Sequence, residues 1–284
     1  MFDKVLVPLG DSPHTETALD NACQLAIEFE SEVVCLYVVD TEKIQSAYLT
    51  SVQMPEVMMT MEPMYETNII QAVHRDLEKE ENAAHECFEK YKSKYPGVNL
   101  KYEDASGIVY EEILKREKDY DLVVMGKSIH NEENELGVLG DNFRKIIHKS
   151  DIPVLATTYG HGIGANLMVC YDGKKNSKKA LDVAIGVAKQ FDVPLNILTI
   201  NEEEKIARKI NSDAVEKALL HDVEVVSNLQ WLNTVGTIIA EIDHLKINFT
   251  FMGAYGDSPI KDFILGSTTD QVVTKTGCPI LLYR

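Results

Sequence analysis

The stretch Phe249-Thr-Phe-Met-Gly-Ala-Tyr-Gly256, continued by Gly266-Ser267 and then by Thr268-Thr-Asp-Gln-Val-Val-Thr274, decides the fold of this chain. In it, an apolar strand-like run leads through a glycine-spaced loop into a helix-like run. Glycines let a backbone approach an anion closely, and the free N–H groups at a helix N-terminus point toward its charge. This order of strand, loop and helix predicts an α/β sheet that holds a phosphate here.

The chain contains this kind of unit twice. Lys4-Val-Leu-Val-Pro8 aligns without a gap with Asn166-Leu-Met-Val-Cys170, at a shift of 162 residues, and residues 140–155 correspond to residues 266–281. Such self-similarity indicates two copies of one domain, and 284 residues are enough for two separate cores. We therefore predict a first domain over 1–158, a flexible linker over 159–165 and a second domain over 166–284.

Each half alternates predicted strands and helices, which indicates a parallel sheet with helices on both faces. In the first half the predicted strands are Lys4–Pro8, Glu32–Val38, Asn99–Glu103, Asp121–Met125 and Pro153–Ala156. In the second half they are Leu167–Tyr171, Leu195–Ile200, Val223–Ser227, Asn248–Met252 and Pro279–Tyr283. Ligands of such sheets bind at the carboxyl ends of the strands, where the strand order reverses.

The glycine-spaced loop resembles the G-x2-G-x9-G-S/T signature of the ATP-binding branch of the universal stress protein family. Outside residues 41–67, the whole chain is similar to a tandem member of that family. The resemblance implies an α/β fold of two Rossmann-like domains, each with a five-stranded parallel sheet in the order 3-2-1-4-5. It also implies a cytoplasmic protein of stress adaptation whose nucleotide is a signal or a slowly turned-over ligand.

The resemblance assigns an ATP site, with or without Mg²⁺, to the second half. Asp172 matches the acid of the family's valine-proline-x-aspartate motif and would meet a ribose hydroxyl or a phosphate-bound metal. Cys170 replaces the family's usual proline beside the adenine, and Thr199 or Ile200 would form the other wall. The candidate cofactor-binding residues are Cys170, Tyr171, Asp172, Thr199, Met252, Gly253, Gly256, Gly266, Ser267, Thr268 and Thr269. Asp172 could equally be a turn former, and Ser267 a helix cap.

The first half departs from this pattern at several of the matching positions. Gly10 replaces the strand-end aspartate, and the loop over residues 126–137 is one residue longer and carries three glutamates. Asp141 stands where Ser267 stands in the second half, and its carboxylate could occupy the helix N-terminus in place of phosphate. We therefore expect one nucleotide per chain.

Two further motifs do not point to chemistry. Gly126-Lys127-Ser128 is not a P-loop, because the first glycine of that motif would fall at Asp121. Between the second strand and the next helix of the first half lie five clustered methionines, Met54, Met58, Met59, Met61 and Met64. A copper or partner site is conceivable there, but adaptable packing or a lid over an interface is favoured.

Charge and composition exclude several classes. The net charge of −17 disfavours nucleic acid, which requires a basic face. Residues 1–160 hold 15 Lys and Arg against 30 Asp and Glu, and residues 161–284 hold 13 against 15, so the second half tolerates a polyphosphate better. No apolar run approaches the roughly 20 residues of a membrane span. The five scattered cysteines are typical of reduced core residues in the cytoplasm, and no metal site is predicted.

Two other classes of function stay open, and we assign no catalytic residue. A slow ATP hydrolase or phosphotransferase would need positioned charges, yet no general base or arginine clamp is evident beside the loop. A ligand-free interaction module would keep the loop only as architecture.

The ends of the two halves predict how the halves assemble. Both finish in apolar runs, Pro153–Ala156 and Pro279–Tyr283, which would be sticky edges if exposed. Pairing these final strands within one chain predicts a pseudo-two-fold, built-in dimer. Further self-association into a homodimer is compatible with this arrangement.

Overall fold

The computed structural model describes residues 1–10, 12–52, 62–127, 129–130, 138–231, 234–254 and 268–284. Four of the clustered methionines, most of the first-half loop, and the predicted phosphate-binding residues Gly256, Gly266 and Ser267 lie outside the described residues.

Strands and helices alternate along both halves. The strands of the first half are β1 (Lys4–Leu9), β2 (Glu32–Asp40), β3 (Asn99–Gly107), β4 (Leu122–Gly126), β5 (Ile129–His130), β6 (Val138–Leu139) and β7 (Val154–Thr157), and its helices are α1 (Pro13–Phe29), α2 (Thr41–Val52), α3 (Glu62–Lys94), α4 (Val109–Arg116) and α5 (Asp141–Lys149). The strands of the second half are β8 (Leu167–Cys170), β9 (Leu195–Ile200), β10 (Val225–Gln230), β11 (Phe249–Gly253) and β12 (Ile280–Tyr283), and its helices are α6 (Lys175–Phe191), α7 (Glu204–Leu219), α8 (Thr234–His244) and α9 (Thr268–Lys275).

The main strands form one sheet in the order β10-β9-β8-β11-β12-β7-β4-β1-β2-β3. Within each half the strands are parallel and follow the predicted order 3-2-1-4-5. The predicted α/β fold is confirmed. The structure adds a short antiparallel pair, β5 with β6, which the sequence pattern does not predict because each strand is only two residues long.

Helices cover both faces because the inner strands of the sheet are apolar on both sides. From β1, Val5 and Val7 enter one hydrophobic core with α1, α3, α6 and α7, whereas Leu6 enters a second core with α4, α5, α8 and α9. Near-continuous apolar strands of this kind are expected in a parallel sheet that is buried on both faces. Among the described helices, none has the length and apolar character needed to cross a membrane.

The two halves meet through their final strands, as predicted. β12 pairs antiparallel with β7, with Leu281 opposite Leu155 at the centre of the joint. These two leucines occupy equivalent positions in the repeats, so the contact is the self-complementary type expected around a two-fold axis. On one face Phe29 and Phe191, another equivalent pair, lie with ring centroids 6.3 Å apart. The pairing makes the two sheets one continuous sheet.

The linker, predicted as a flexible connector, is hydrogen-bonded to the first half. The buried side chain of Asn21 accepts a hydrogen bond from Ile163 N at 2.7 Å and donates one to His161 O at 3.2 Å. Directly after the linker, within the second half, Asn166 N donates to Asn248 Oδ1 at 2.9 Å. Asn21 of the first half thus holds two backbone groups of this glycine-spaced segment.

Candidate functional site

The candidate site begins where β8 and β11 end side by side. Cys170 is opposite Met252 in this parallel pair, so Asp172 and Gly253 follow at the same edge of the sheet. This is the carboxyl edge, at which the strand order of the second half reverses.

Asp172 organises the turn between β8 and α6. Gly173 adopts a φ of +79°, a conformation that glycine reaches without strain, and the chain turns back there. One carboxylate oxygen, Oδ1, accepts from Lys174 N at 3.0 Å and from Ser177 Oγ at 2.6 Å. The other, Oδ2, lies 3.2 Å from Lys174 Nζ, and the Asp172 side chain is 50% exposed. One oxygen therefore closes the turn, and the other stands at the surface.

These contacts keep Asp172 ionised. Burial acts to raise the pKa of its carboxyl, but the hydrogen bonds from Ser177 and Lys174 and the charge of Lys174 outweigh it, so the pKa lies below its usual value. The strand-end acid thus carries a full negative charge at neutral pH. Such a group accepts a hydrogen bond from a hydroxyl or joins the coordination of a hard cation.

Close packing of a helix requires a glycine at position 253. A Cβ added there would lie 2.4 Å from Ser177 N, because the first turn of α6 packs directly on the end of β11. Asn176 reinforces this contact by donating from Nδ2 to Ala254 O at 2.7 Å. In the first half, a Cβ on Gly126 would likewise lie 2.5 Å from His14 Cβ. Because the altered half keeps the same glycine, close helix packing is a sufficient reason for a glycine here, whether or not a phosphate also approaches it.

The walls of the site divide between the two faces of the sheet. Cys170, Met252 and Ile200 pack in the core formed with α8 and α9, and Ile200 is partly exposed. Thr199 lies on the opposite face, completely buried, and its hydroxyl accepts from Asn211 Nδ2 at 3.1 Å. Of the two wall residues that the sequence predicts, Ile200 is therefore the one that shares a face with Cys170 and Met252. Tyr171 is also buried, in the core on the side of α6.

Cys170 lines this region as a neutral thiol. Burial raises its pKa to about 12, so the side chain contributes an apolar surface and no negative charge.

The helix that follows the glycine-spaced loop begins at Thr268. Thr268 is partly exposed and Thr269 is buried. Asp270, in the first turn, lies with Oδ1 4.0 Å from Nε2 of His148, which belongs to α5 of the first half. The start of α9 is therefore in contact with the other half.

Sequence reasoning missed the residues that support Asp172. Gly173, Asn176 and Ser177 hold the turn and the first turn of α6, yet none belongs to the glycine-spaced loop on which the prediction depended. A small hydroxyl residue five positions after a strand-end aspartate is the signal that could have found Ser177. In the described part of the chain, no group of three or more His, Cys, Asp or Glu side chains is placed to hold a metal.

Comparison with known proteins identifies the same repeat. A sequence model described as "Universal stress protein family" matches residues 1–158 and again residues 165–284. The universal stress protein Slr1230 of Synechocystis is 27% identical over 168 residues, which are 58% of this chain and 58% of that protein. The universal stress protein YxiE of Bacillus subtilis is 26% identical over an alignment of 144 residues that covers 42% of this chain and 97% of that protein.

A solved structure matches the whole fold. The crystal structure of a universal stress protein from Archaeoglobus fulgidus aligns with 100% of this chain and 99% of its own, with a TM-score of 0.77 and 20% sequence identity. At that identity the likeness establishes the fold alone.

Proposed function

The chain belongs to the universal stress protein family, and on that premise we propose that it binds one adenine nucleotide, ATP with or without Mg²⁺, in its second half and acts in stress adaptation in the cytoplasm. We take residues 1–158 and 166–284 as the two domains. The observation that carries the proposal is the junction of β8 and β11, where an ionised aspartate stands beside a neutral apolar wall at the switch point of the sheet.

Each part of the nucleotide has a counterpart in this arrangement. The adenine would lie against Cys170, Met252 and Ile200, and a ribose hydroxyl would donate to the exposed oxygen of Asp172. The phosphates would bind the glycine-spaced loop with Gly256, Gly266 and Ser267, together with the amides of Thr268 and Thr269 at the start of α9. A helix N-terminus favours an anion through its free N–H groups and its dipole.

The sequence of the first half supports a stoichiometry of one nucleotide per chain. At the position of Asp172 it has Gly10, and at the position of Ser267 it has Asp141, which stands at the start of α5. A carboxylate in the first turn of a helix takes the place that an anionic ligand would occupy.

Titration calorimetry with ATP, ADP and AMP, with and without Mg²⁺, tests the proposal. We expect one site per chain, and weaker binding when Gly256 is replaced by valine, because a β-branched side chain blocks close approach of the backbone. Ile129→Val, in the corresponding loop of the first half, is the matched control and should bind like the wild type. Two equivalent sites, or undiminished binding by Gly256→Val, would contradict the assignment. A protein that binds no adenylate would instead be the interaction module.

Turnover separates nucleotide binding from catalysis. With one oxygen of Asp172 committed to the turn, we expect hydrolysis well below the typical enzyme kcat of roughly 10 s⁻¹. The measurement is phosphate release under excess ATP, compared between the wild type and Ser267→Ala. Sustained release near the typical rate that is lost in Ser267→Ala would favour the hydrolase.

A further inference from the structure

Lys127 is a buried cation that crosses from one half to the other. It follows β4 of the first half, and its side chain is 0% exposed. Its Nζ donates to Val273 O at 2.5 Å and also to Thr276 O. Val273 lies in the last turn of α9 and Thr276 directly follows the helix, so the ammonium of a first-half residue is buried against the second half.

The chemistry of this contact is that of a helix C-cap. The last carbonyls of a helix have no partner within it and carry the negative end of the helix dipole, so a buried ammonium compensates both. Burial lowers the pKa of Lys127 to about 8. Among the residues that the structure describes, Cys278 is the other titratable group near the amine, and its own pKa is raised to about 11 by burial, so it stays neutral around that pH.

Ala254, the residue equivalent to Lys127 in the second half, does not make the corresponding contact with the first half. Lys127 N donates to Thr157 O, and at the equivalent position of the second half Ala254 N donates to Tyr283 O. Ala254 is as buried as Lys127 but has no polar side chain, so it cannot cap α5 in return. The two-fold relation is thus broken in favour of α9, the helix that follows the glycine-spaced loop.

The first half also reaches the other end of the same helix. His148 of α5 lies 4.0 Å from Asp270 in the first turn of α9. α9 has 8 residues, and at about 1.5 Å rise per residue its two ends lie close together. A shift at its C-terminus is therefore transmitted to its N-terminus.

We propose that Lys127 is a positioning residue through which the first half holds α9 in place, so that the amides of Thr268 and Thr269 are presented to the nucleotide phosphates in the second half. This inference rests on the proposed function. It gives the first half a role in the binding site without a nucleotide of its own.

Lys127→Met tests it, because methionine keeps most of the side-chain length and removes the charge. We expect ATP affinity to fall roughly 3- to 30-fold, the range typical of coupling between sites. Methionine leaves the carbonyls of Val273 and Thr276 without this donor, so the melting temperature should fall as well, and affinity is compared at a temperature at which both proteins are folded. Hydrogen exchange should quicken in residues 268–276 and not in α6. Lys118→Met, at an exposed lysine of the first half, is the control and should match the wild type.

The pH profile supplies a readout that a purely structural role would not move. Wild-type affinity, measured relative to Lys127→Met, should decline as pH rises from 7 to 9, because the amine then loses its proton. Equal affinity of the wild type and Lys127→Met at pH 7 would overturn the inference alone, whereas a wild type that binds no adenylate would overturn the proposed function and the inference with it. If Lys127→Met does not fold, the test is hydrogen exchange of residues 268–276 in the wild type. Their protection factors should fall as pH rises from 7 to 9, and constant protection over this range would overturn the inference.

Discussion

Asp172 has a structural role and a proposed binding role, and each role belongs to a different carboxylate oxygen. Oδ1 holds the turn through Lys174 N and Ser177 Oγ, while Oδ2 stands at the surface. The two readings that the sequence leaves open, turn former and ligand, are therefore not exclusive. They can be separated by substitutions that keep one role and remove the other.

Asp172→Asn should keep the turn and weaken the ligand contact. The amide oxygen can accept the same two hydrogen bonds, so the free energy of unfolding should fall by less than in Asp172→Ala, while the loss of charge should weaken ATP binding by roughly 1.5–3 kcal/mol, the value of a hydrogen bond to a charged group. Asp172→Ala removes both roles and should also destabilise the fold by about 1 kcal/mol, as the loss of a cap does. Calorimetry and urea unfolding measure the two effects. Equal binding by the wild type and Asp172→Asn would remove this carboxylate from the site.

The ionised carboxylate of Asp172 should make the stability of the fold depend on pH in the acidic range. Its folded pKa lies below the ordinary value of 3.8. A group with a depressed pKa stabilises the fold above its unfolded pKa and loses that contribution as pH falls through the folded pKa. The stability difference between the wild type and Asp172→Ala should therefore be constant near neutral pH and shrink below about pH 4. Asp3→Asn, at a side chain that is 90% exposed, serves as the control; a difference that stays constant into acid would contradict the assignment.

At the scale of elements, the strand-end glycines connect sheet and helix. Gly253 and Gly126 let the first turns of α6 and α1 pack on β11 and β4. The sequence pattern points to phosphate at Gly253, because a glycine between a strand and a helix has the same appearance whether a ligand or a helix approaches it. Only the three-dimensional neighbour distinguishes the two.

Gly253→Ala should destabilise the fold by about 1–3 kcal/mol, the usual cost of overpacking, because the α6 backbone cannot yield as a side chain does. Gly126→Ala should cost a similar amount through His14, but only the change at Gly253 should also weaken ATP binding. Gly97→Ala, where an added Cβ meets nothing within 4 Å, is the control and should leave stability unchanged or slightly raised. Chemical unfolding gives the free energies. A fully stable Gly253→Ala would show that α6 is not held against β11.

The elements were largely predictable from the sequence, and the failures have physical causes. Most of the strand runs are apolar and rich in β-branched residues, and all ten predicted strands correspond to observed ones. Thr199 and Ile200 could not be ranked, because neighbouring residues of a strand point to opposite faces and the sequence does not tell which face carries the ligand. The sequence did not identify Ser177 and Asn176 as site residues, because their roles depend on contacts with Asp172 and Ala254 that form only in the folded chain.

At the scale of the whole molecule, the repeat in the sequence anticipates the two-fold arrangement. The equivalent runs ending in Leu155 and Leu281 predict the joint between the halves, and the structure pairs them. The docking of the linker could not be anticipated, because it depends on Asn21, far away in the chain. The triplet Gly126-Lys127-Ser128 lacks the spacing of a P-loop, and nothing else in the sequence indicates that Lys127 contacts α9.

Leu281→Asp should disrupt the joint. Leu281 is completely buried opposite Leu155, so an unpaired carboxylate there should cost about 3 kcal/mol or more and loosen the halves. Thermal unfolding and binding of a hydrophobic dye should report lower stability and newly exposed apolar surface. Leu220→Asp, at a leucine that is 77% exposed, is the control and should change stability by no more than about 0.5 kcal/mol. Unaltered stability of Leu281→Asp would refute the arrangement.

The antiparallel pairing of β7 with β12 also has a consequence for how the protein behaves when it is scarce. Two separate chains joined through such strands would come apart on dilution, whereas here the second partner is always tethered to the first, so the joint persists at any copy number. Each substitution also occurs once rather than twice in the assembled pair. One side of the joint can therefore change while its counterpart stays as it is, a freedom that identical subunits lack.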